Sequence, residues 1–214
     1  VRLLITGGTG SLGTALLDYL SDREDIETTV LSRDEVKQSD LKRLFPGVRW
    51  MLGDVRDYDR LSLAMRRQDA VIHAAAYKQV PSAEVNVDEA IATNVLGSLN
   101  VARAAVFAGV KQVVGVSTDK ACQPVNAYGE TKALMEKLFA QADEWGDTRF
   151  NCVRYGNVLG SRGSVVPLFR HQMATKQQMT LTSPNMTRFW MTLADAVDTV
   201  LEPINGVRLR GAIL

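Results

Sequence analysis

Three glycines spaced three residues apart, Gly7, Gly10 and Gly13, stand between the apolar run Val1-Arg2-Leu3-Leu4-Ile5 and the helical pattern that begins at Ala15-Leu16-Leu17. Glycine lets the backbone turn tightly, bring its N–H groups against a phosphate and seat the following helix close to the sheet. The run Thr6-Gly7-Gly8-Thr9-Gly10-Ser11-Leu12-Gly13 therefore reads as a strand end, a phosphate-cradling turn and a helix start. Gly7, Thr9, Gly10, Ser11, Leu12 and Gly13 are its candidate dinucleotide contacts.

That opening unit repeats in kind. Apolar strand-like segments near 1–6, 27–32, 48–52, 70–73, 111–117 and 149–154 alternate with amphipathic segments near 12–21, 35–44, 58–66, 84–107 and 127–144. Such a succession predicts an α/β fold, a Rossmann-type doubly wound parallel sheet with ligands at the carboxyl ends of its strands. Beyond residue 156 the alternation stops, and Pro167, Pro184 and Pro203 punctuate shorter elements. The expected organisation is a dinucleotide-binding domain over 1–156 and a small substrate lobe over 157–214, not independently folding. With 214 residues, 46% of them hydrophobic, the chain is long enough to bury one sizeable core.

Chemistry is suggested by Tyr128-Gly129-Glu130-Thr131-Lys132, whose tyrosine stands ten residues after Thr118 in the run Ser117-Thr118-Asp119-Lys120 that closes an apolar stretch. On a helix, a tyrosine and a lysine four apart share a face, where an ammonium stabilises a phenolate and makes the tyrosine a usable base. Together with the glycine-rich turn, the pair points to hydride chemistry on an alcohol at a nicotinamide.

In carrying both motifs in this order the chain resembles the extended short-chain dehydrogenase/reductase superfamily. Longer motifs narrow the likeness: Ser32-Arg33-Asp34-Glu35-Val36-Lys37-Gln38, His73-Ala74-Ala75-Ala76-Tyr77-Lys78-Gln79-Val80-Pro81, Ser117-Thr118-Asp119-Lys120, Arg154-Tyr155-Gly156-Asn157-Val158-Leu159-Gly160-Ser161-Arg162-Gly163-Ser164 and Met186-Thr187-Arg188-Phe189-Trp190-Met191-Thr192. These look like the UDP-N-acetylglucosamine 4,6-dehydratases that invert carbon 5 and open bacterial surface-sugar pathways of the pseudaminic acid type. The resemblance runs from residue 1 to about 201. Members of that family continue past the helix near 193–202, whereas this chain stops at Leu214, which reads either as a compact enzyme or as loss of a C-terminal part.

The resemblance implies a cycle. Tyr128, assisted by Lys132, takes the proton of the carbon 4 hydroxyl, and Thr118 hydrogen-bonds the same oxygen. The ketone so formed acidifies carbon 5, water leaves across carbons 5 and 6, and hydride returns to carbon 6, so the nicotinamide is recycled in place. Enzymes that retain configuration carry Asp-Glu where this chain has Asp119-Lys120, the pair of the inverting ones. Lys120 is accordingly expected as the carbon 5 base and Asp119 as the acid, which requires a protonated Asp119 and a neutral Lys120 when they act. Cys122 is a second candidate acid or base at carbon 5, although a buried inert thiol is the commoner case. His73 reads as a packed histidine.

An acidic residue at the end of the second strand normally selects NAD. Here Ser32, Arg33 and Lys37 suit a 2′-phosphate, so NADP is expected over NAD, with selection by Asp34 as the competing reading. Asp54 and Val55 resemble the superfamily's adenine contact, and Ala74, Ala75 and Ala76 leave room for the dinucleotide or serve close packing. For the UDP-sugar, the candidates are Lys78, Asn157, Arg162, Ser164 and Arg188, the last as a diphosphate clamp. Phe189 and Trp190 read as a uracil platform or as lobe core, and Arg154 as structural.

Lysine and arginine total 25 against 24 acidic residues, so no bulk charge draws nucleic acid or a membrane. Two cysteines without CxxC and without a histidine cluster suggest neither disulfide nor metal site. No apolar run reads as long enough to span a bilayer, and a cytoplasmic protein is expected. Self-association through the helices near 84–107 and 127–144, usual in the superfamily, implies a homo-oligomer. Competing readings are a UDP-sugar 5,6-dehydratase, a 4-epimerase and, from another class, an NADP-binding sensor or subunit without turnover.

Overall fold

The computed structural model describes residues 1–181, 183–206, 211 and 213–214. Six parallel strands form one sheet: β1 (Arg2–Thr6), β2 (Glu27–Ser32), β3 (Arg49–Leu52), β4 (Ala70–His73), β5 (Gln112–Val116) and β6 (Arg149–Val153), in the spatial order β3-β2-β1-β4-β5-β6. That order reverses between β1 and β4, and a doubly wound sheet opens a ligand crevice where it reverses. The expected Rossmann-type sheet is thus the observed one.

Period-two alternation divides the strands between two apolar layers. Leu4, Val71 and Val113 face α3 (Tyr58–Met65), α6 (Gly97–Ala108) and α7 (Ala127–Ala142), whereas Leu3, Ile5, Ile72 and Val114 face α1 (Ser11–Leu20) and α9 (Leu193–Asn205). Both layers are built of side chains essentially sealed from water. α9 starts from a capping box, in which Thr192 and Asp195 exchange hydrogen bonds. Because Val197, Val200 and Leu201 of α9 enter the same core as Leu16 and Leu17, that part of the expected 157–214 lobe lies in the Rossmann layer itself. The end of the expected lobe, 207–210 and 212, falls outside the described residues.

Two segments depart from the sequence-based expectation. The helix anticipated over 84–107 is three pieces: α4 (Val80–Val85), α5 (Val87–Ile91) and α6, the last two joined by a π turn over Ala92–Leu96. The break falls at Asn86, whose φ of −132° is not helical. The continuous stretch Val87–Ala108 is also apolar and long enough to cross a membrane, contrary to the expectation of no such run, and half of it is buried inside the fold. A core helix under a parallel sheet meets the same length and composition test as a spanning one. Beyond β6, a two-stranded sheet pairs β7 (Asn157–Val158) with β8 (Trp190–Met191), and α8 (Val165–Ala174) lies between them in sequence.

Candidate active site

The glycine-rich turn packs tightly against the loop after β4. A Cβ on Gly7, whose φ is +74°, would stand 2.7 Å from Ala75 Cα, so the turn lies directly on the backbone of the β4 loop. Gly10 caps α1 without any side-chain hydrogen bond. The first amides of a helix have no intrahelical partner, and here they open toward a cleft lined by Gly7, Gly10, Ser11, Leu12 and Gly13. These residues suit a dinucleotide pyrophosphate.

The cleft has a volume of about 380 Å³. It is also lined by Thr118, Lys120 and Tyr128, by Lys78, Asn157, Arg162 and Ser164, and by Ala74 and Ala76. One close approach brings the catalytic candidates together. A Cβ on Gly129 would run into the carbonyl oxygen of Lys120, so only glycine lets the first turn of α7 sit on the short 3-10 turn Asp119–Ala121. Asn126 caps the helix by accepting from Gly129 N at 2.8 Å, which fixes where Tyr128 emerges.

Asp119 Oδ1 accepts from Thr118 Oγ1 at 3.0 Å and from Lys120 Nζ at 3.0 Å, and Lys120 Nζ also reaches Asn157 Oδ1 at 3.3 Å. The Asp119–Lys120 pair is about one-third exposed, and Lys120 lines the cleft. Burial pushes the Tyr128 phenol up to about 12, Thr118's hydrogen bond relieves part of that rise, and the Asp119 charge adds to it. The expected relief from Lys132 is not what the structure gives. Lys132 is 1% exposed, its ammonium donates to Met135 Sδ at 2.9 Å, and burial brings its pKa down to about 8. A lysine four residues on does share the tyrosine's helix face, but here it is drawn one turn further along α7 and sealed beneath it.

Other residues fall where their chemistry puts them. His73 is fully buried between Thr6 Oγ1 at 2.8 Å and Ser98 Oγ at 3.0 Å, and burial holds it near 3, so it is the packed histidine expected. Arg154 is structural: its guanidinium donates to both carboxylate oxygens of buried Glu136, at 2.8 and 2.6 Å. Cys122 is exposed and does not line the cleft. Arg188 is exposed and turned toward Thr187 O and Met186 Sδ, so the structure does not bring the anticipated diphosphate clamp to the cleft. Phe189 and Trp190 are likewise exposed rather than lobe core.

At the adenosine corner Ser32 is buried, its hydroxyl accepting from Gln38 Nε2 at 2.8 Å, which leaves Arg33 and Lys37 at the surface. Arg33 pairs with Asp54 at 3.4 Å and Lys37 with Asp34. Burial would raise the Asp54 carboxyl, but hydrogen bonds from Arg56 outweigh it and keep the group below its ordinary value. Both cations of the corner are therefore already matched by carboxylates. Val55 is buried and packs against Gly97 rather than opening to the corner.

Sequence reasoning missed half-buried Tyr155 and Gln79, Val80 and Pro81, all of which line the cleft. It also missed Asn94, whose side chain accepts from Tyr77 N at 2.7 Å and donates to Tyr77 O at 2.9 Å and Thr131 Oγ1 at 3.0 Å. That residue ties the β4 loop to α7, and its only signal was an asparagine within an apolar helical run.

Comparison with known proteins follows the same outline. A family model described as "Polysaccharide biosynthesis protein" matches residues 3–211. The chain is 47% identical over 217 residues to a UDP-N-acetylglucosamine 4,6-dehydratase (inverting) of Campylobacter jejuni, covering 98% of this chain and 64% of the relative. It is 49% identical over 210 residues to a UDP-glucose 4-epimerase of Rickettsia bellii, covering 93% and 61%. The chain thus spans less than two thirds of the length of these curated relatives. Among solved structures, a dTDP-glucose 4,6-dehydratase from Streptomyces venezuelae with NAD bound superposes with a TM-score of 0.90 at 25% identity, covering 100% of this chain and 74% of that one.

Proposed function

The chain belongs to the polysaccharide biosynthesis protein family, and from that premise we propose that it acts on a UDP-N-acetylhexosamine as a nicotinamide-dependent 4,6-dehydratase that inverts carbon 5. One observation carries the reading: Thr118, Lys120 and Tyr128 line a single cleft with the glycine-rich turn, and Asp119 is hydrogen-bonded to both Thr118 and Lys120.

A bound nicotinamide would accept hydride from carbon 4 and return it to carbon 6. The chain's own residues do the rest. Thr118 and Tyr128, which line the same cleft, grip the carbon 4 oxygen, and Tyr128 takes its proton. A phenol pushed up to about 12 needs a neighbouring positive charge before it can act near neutral pH, and Lys132, four residues on in the same helix, is proposed to supply it. Lys120 and Asp119 stand in direct contact as an ion pair. Transfer of one proton along that contact converts them to a neutral amine and a carboxylic acid, the two states needed to deprotonate carbon 5 and protonate the departing hydroxyl. Asn157, bonded to Lys120, orients the amine.

NADP is the favoured dinucleotide, because a 2′-phosphate would compete with Asp54 for the charged fork of Arg33. Self-association through Val87, Ile91, Phe107 and Leu134, exposed on α5, α6 and α7, belongs to the same reading.

The test is incubation with UDP-N-acetylglucosamine and NADP in deuterated water, followed by NMR. A 4-keto-6-deoxy product with deuterium at carbon 5 and the arabino configuration supports the proposal. The 49% identity to a UDP-glucose 4-epimerase favours one second reading, simple epimerisation, which would give a galacto product without deuterium at carbon 5.

A further inference from the structure

Arg162 is 151 residues from Ser11 in sequence, yet its backbone N–H donates to Ser11 Oγ at 3.0 Å and its guanidinium donates to the carbonyl oxygen of Thr9. The segment carrying it is a strap. It leaves β7, turns through Gly160 and Gly163 at φ of +70° and +75°, and passes over the cleft onto the glycine-rich turn. A Cβ on Gly163 would collide with the Gln79 side-chain amide, so the strap also lies against the β4 loop. Lys78 of that loop closes the contact, donating to Arg162 O at 3.0 Å.

Two cations are thereby crowded at one edge of the cleft. Among the described residues, neither Arg162 nor Lys78 has a carboxylate within ion-pair distance, Asp34 feeling the Arg162 charge only at longer range, whereas Arg33, Arg56 and Arg154 are each paired with a carboxylate. Burial lowers the Lys78 amine and the charge of Arg162 lowers it further, a mutual repulsion that an anion between them would relieve. The uncapped start of α1 opens on the same spot.

We propose that Arg162, supplied by the segment that follows β7, is a ligand of the dinucleotide's pyrophosphate, exchanging the Thr9 carbonyl for phosphate oxygens when the dinucleotide binds. The contact to the glycine-rich turn, rather than to β8 or α9, assigns it to the dinucleotide and not to the sugar nucleotide. It rests on the dinucleotide-binding part of the function proposed above. The strap then links the cofactor to the chemistry, since Asn157, five residues before Arg162, bonds Lys120.

The experiment is calorimetric titration of wild type and Arg162→Ala with ADP-ribose, adenosine and UDP. Loss of a charge-assisted pair predicts ADP-ribose binding weaker by on the order of tenfold to a hundredfold in the variant, with adenosine and UDP within about twofold. Unchanged ADP-ribose binding, or a loss confined to UDP, overturns the assignment while leaving the dinucleotide reading intact. A wild-type protein that binds neither ADP-ribose nor NADP sinks both. Amide hydrogen exchange on the wild type guards against a variant that fails to fold: ADP-ribose should slow exchange across residues 160–164 and adenosine should not, and equal protection by both refutes the phosphate contact.

Discussion

Gly129 lies so close to the carbonyl oxygen of Lys120 that no side chain fits between them, and this contact sets Tyr128 beside the Asp119–Lys120 pair. Gly129→Ala must push α7 off the 3-10 turn, because the obstructing atom is backbone and cannot swing away. The expected result is a loss of about 1–3 kcal/mol in stability, the usual cost of overpacking, and a fall in turnover larger than the change in dinucleotide affinity. Chemical denaturation, steady-state kinetics and NADP titration of the one variant read all three.

Lys120→Met removes the amine while keeping the length of the side chain. Its partial exposure means the fold should hold. Product formation and deuterium incorporation at carbon 5 should drop by roughly 10²- to 10⁴-fold, the range for a lost general base. Undiminished incorporation in the NMR assay would remove Lys120 from that role.

His73 makes stability depend on acid. Its folded pKa, near 3, lies below the ordinary value of 6.5, so between those limits the unfolded chain binds a proton that the folded chain does not. Stability from this group is fully present above pH 6.5, falls as the pH drops toward 3, and does so with a slope approaching about 1.4 kcal/mol per pH unit. Lys132 acts in the alkaline range with the same sign, since a folded value near 8 against an ordinary 10.5 makes stability rise with pH between them. Denaturation of wild type and His73→Gln at several pH values isolates the first effect: the difference between their stabilities should shrink as the solution is acidified, and a constant difference counts against it.

Arg33→Ala should narrow the preference for NADP over NAD by on the order of tenfold or more, since one charge-assisted hydrogen bond to the 2′-phosphate is lost. Affinity for NAD should hold or improve, because Asp54 is released from its pair with Arg33. Paired dissociation constants for the two dinucleotides decide it; an unaltered ratio would pass the selecting role to Lys37 or Asp34.

Much of this molecule was legible in its letters. β2 and the helix α2 (Glu35–Leu44) fall at the expected 27–32 and 35–44, and the turn between β1 and α1 was evident, because strand alternation, helix periodicity and glycine spacing are local signals. Thr118, Asp119, Lys120 and Tyr128 were identifiable for a related reason: all stand within eleven residues at one strand end and the helix that follows it. What needed the tertiary structure was every relation between distant segments. Sequence placed Lys132 on the tyrosine's face but could not say that burial would pull its ammonium onto Met135, nor that Asn94 would bind the β4 loop to α7. It grouped Arg162 with Arg188 as UDP-sugar contacts, whereas packing lays Arg162 on the glycine-rich turn and leaves Arg188 outside the cleft. Local patterns fix which elements form; which charged side chain meets which loop depends on how those elements dock, and no short stretch of sequence encodes that.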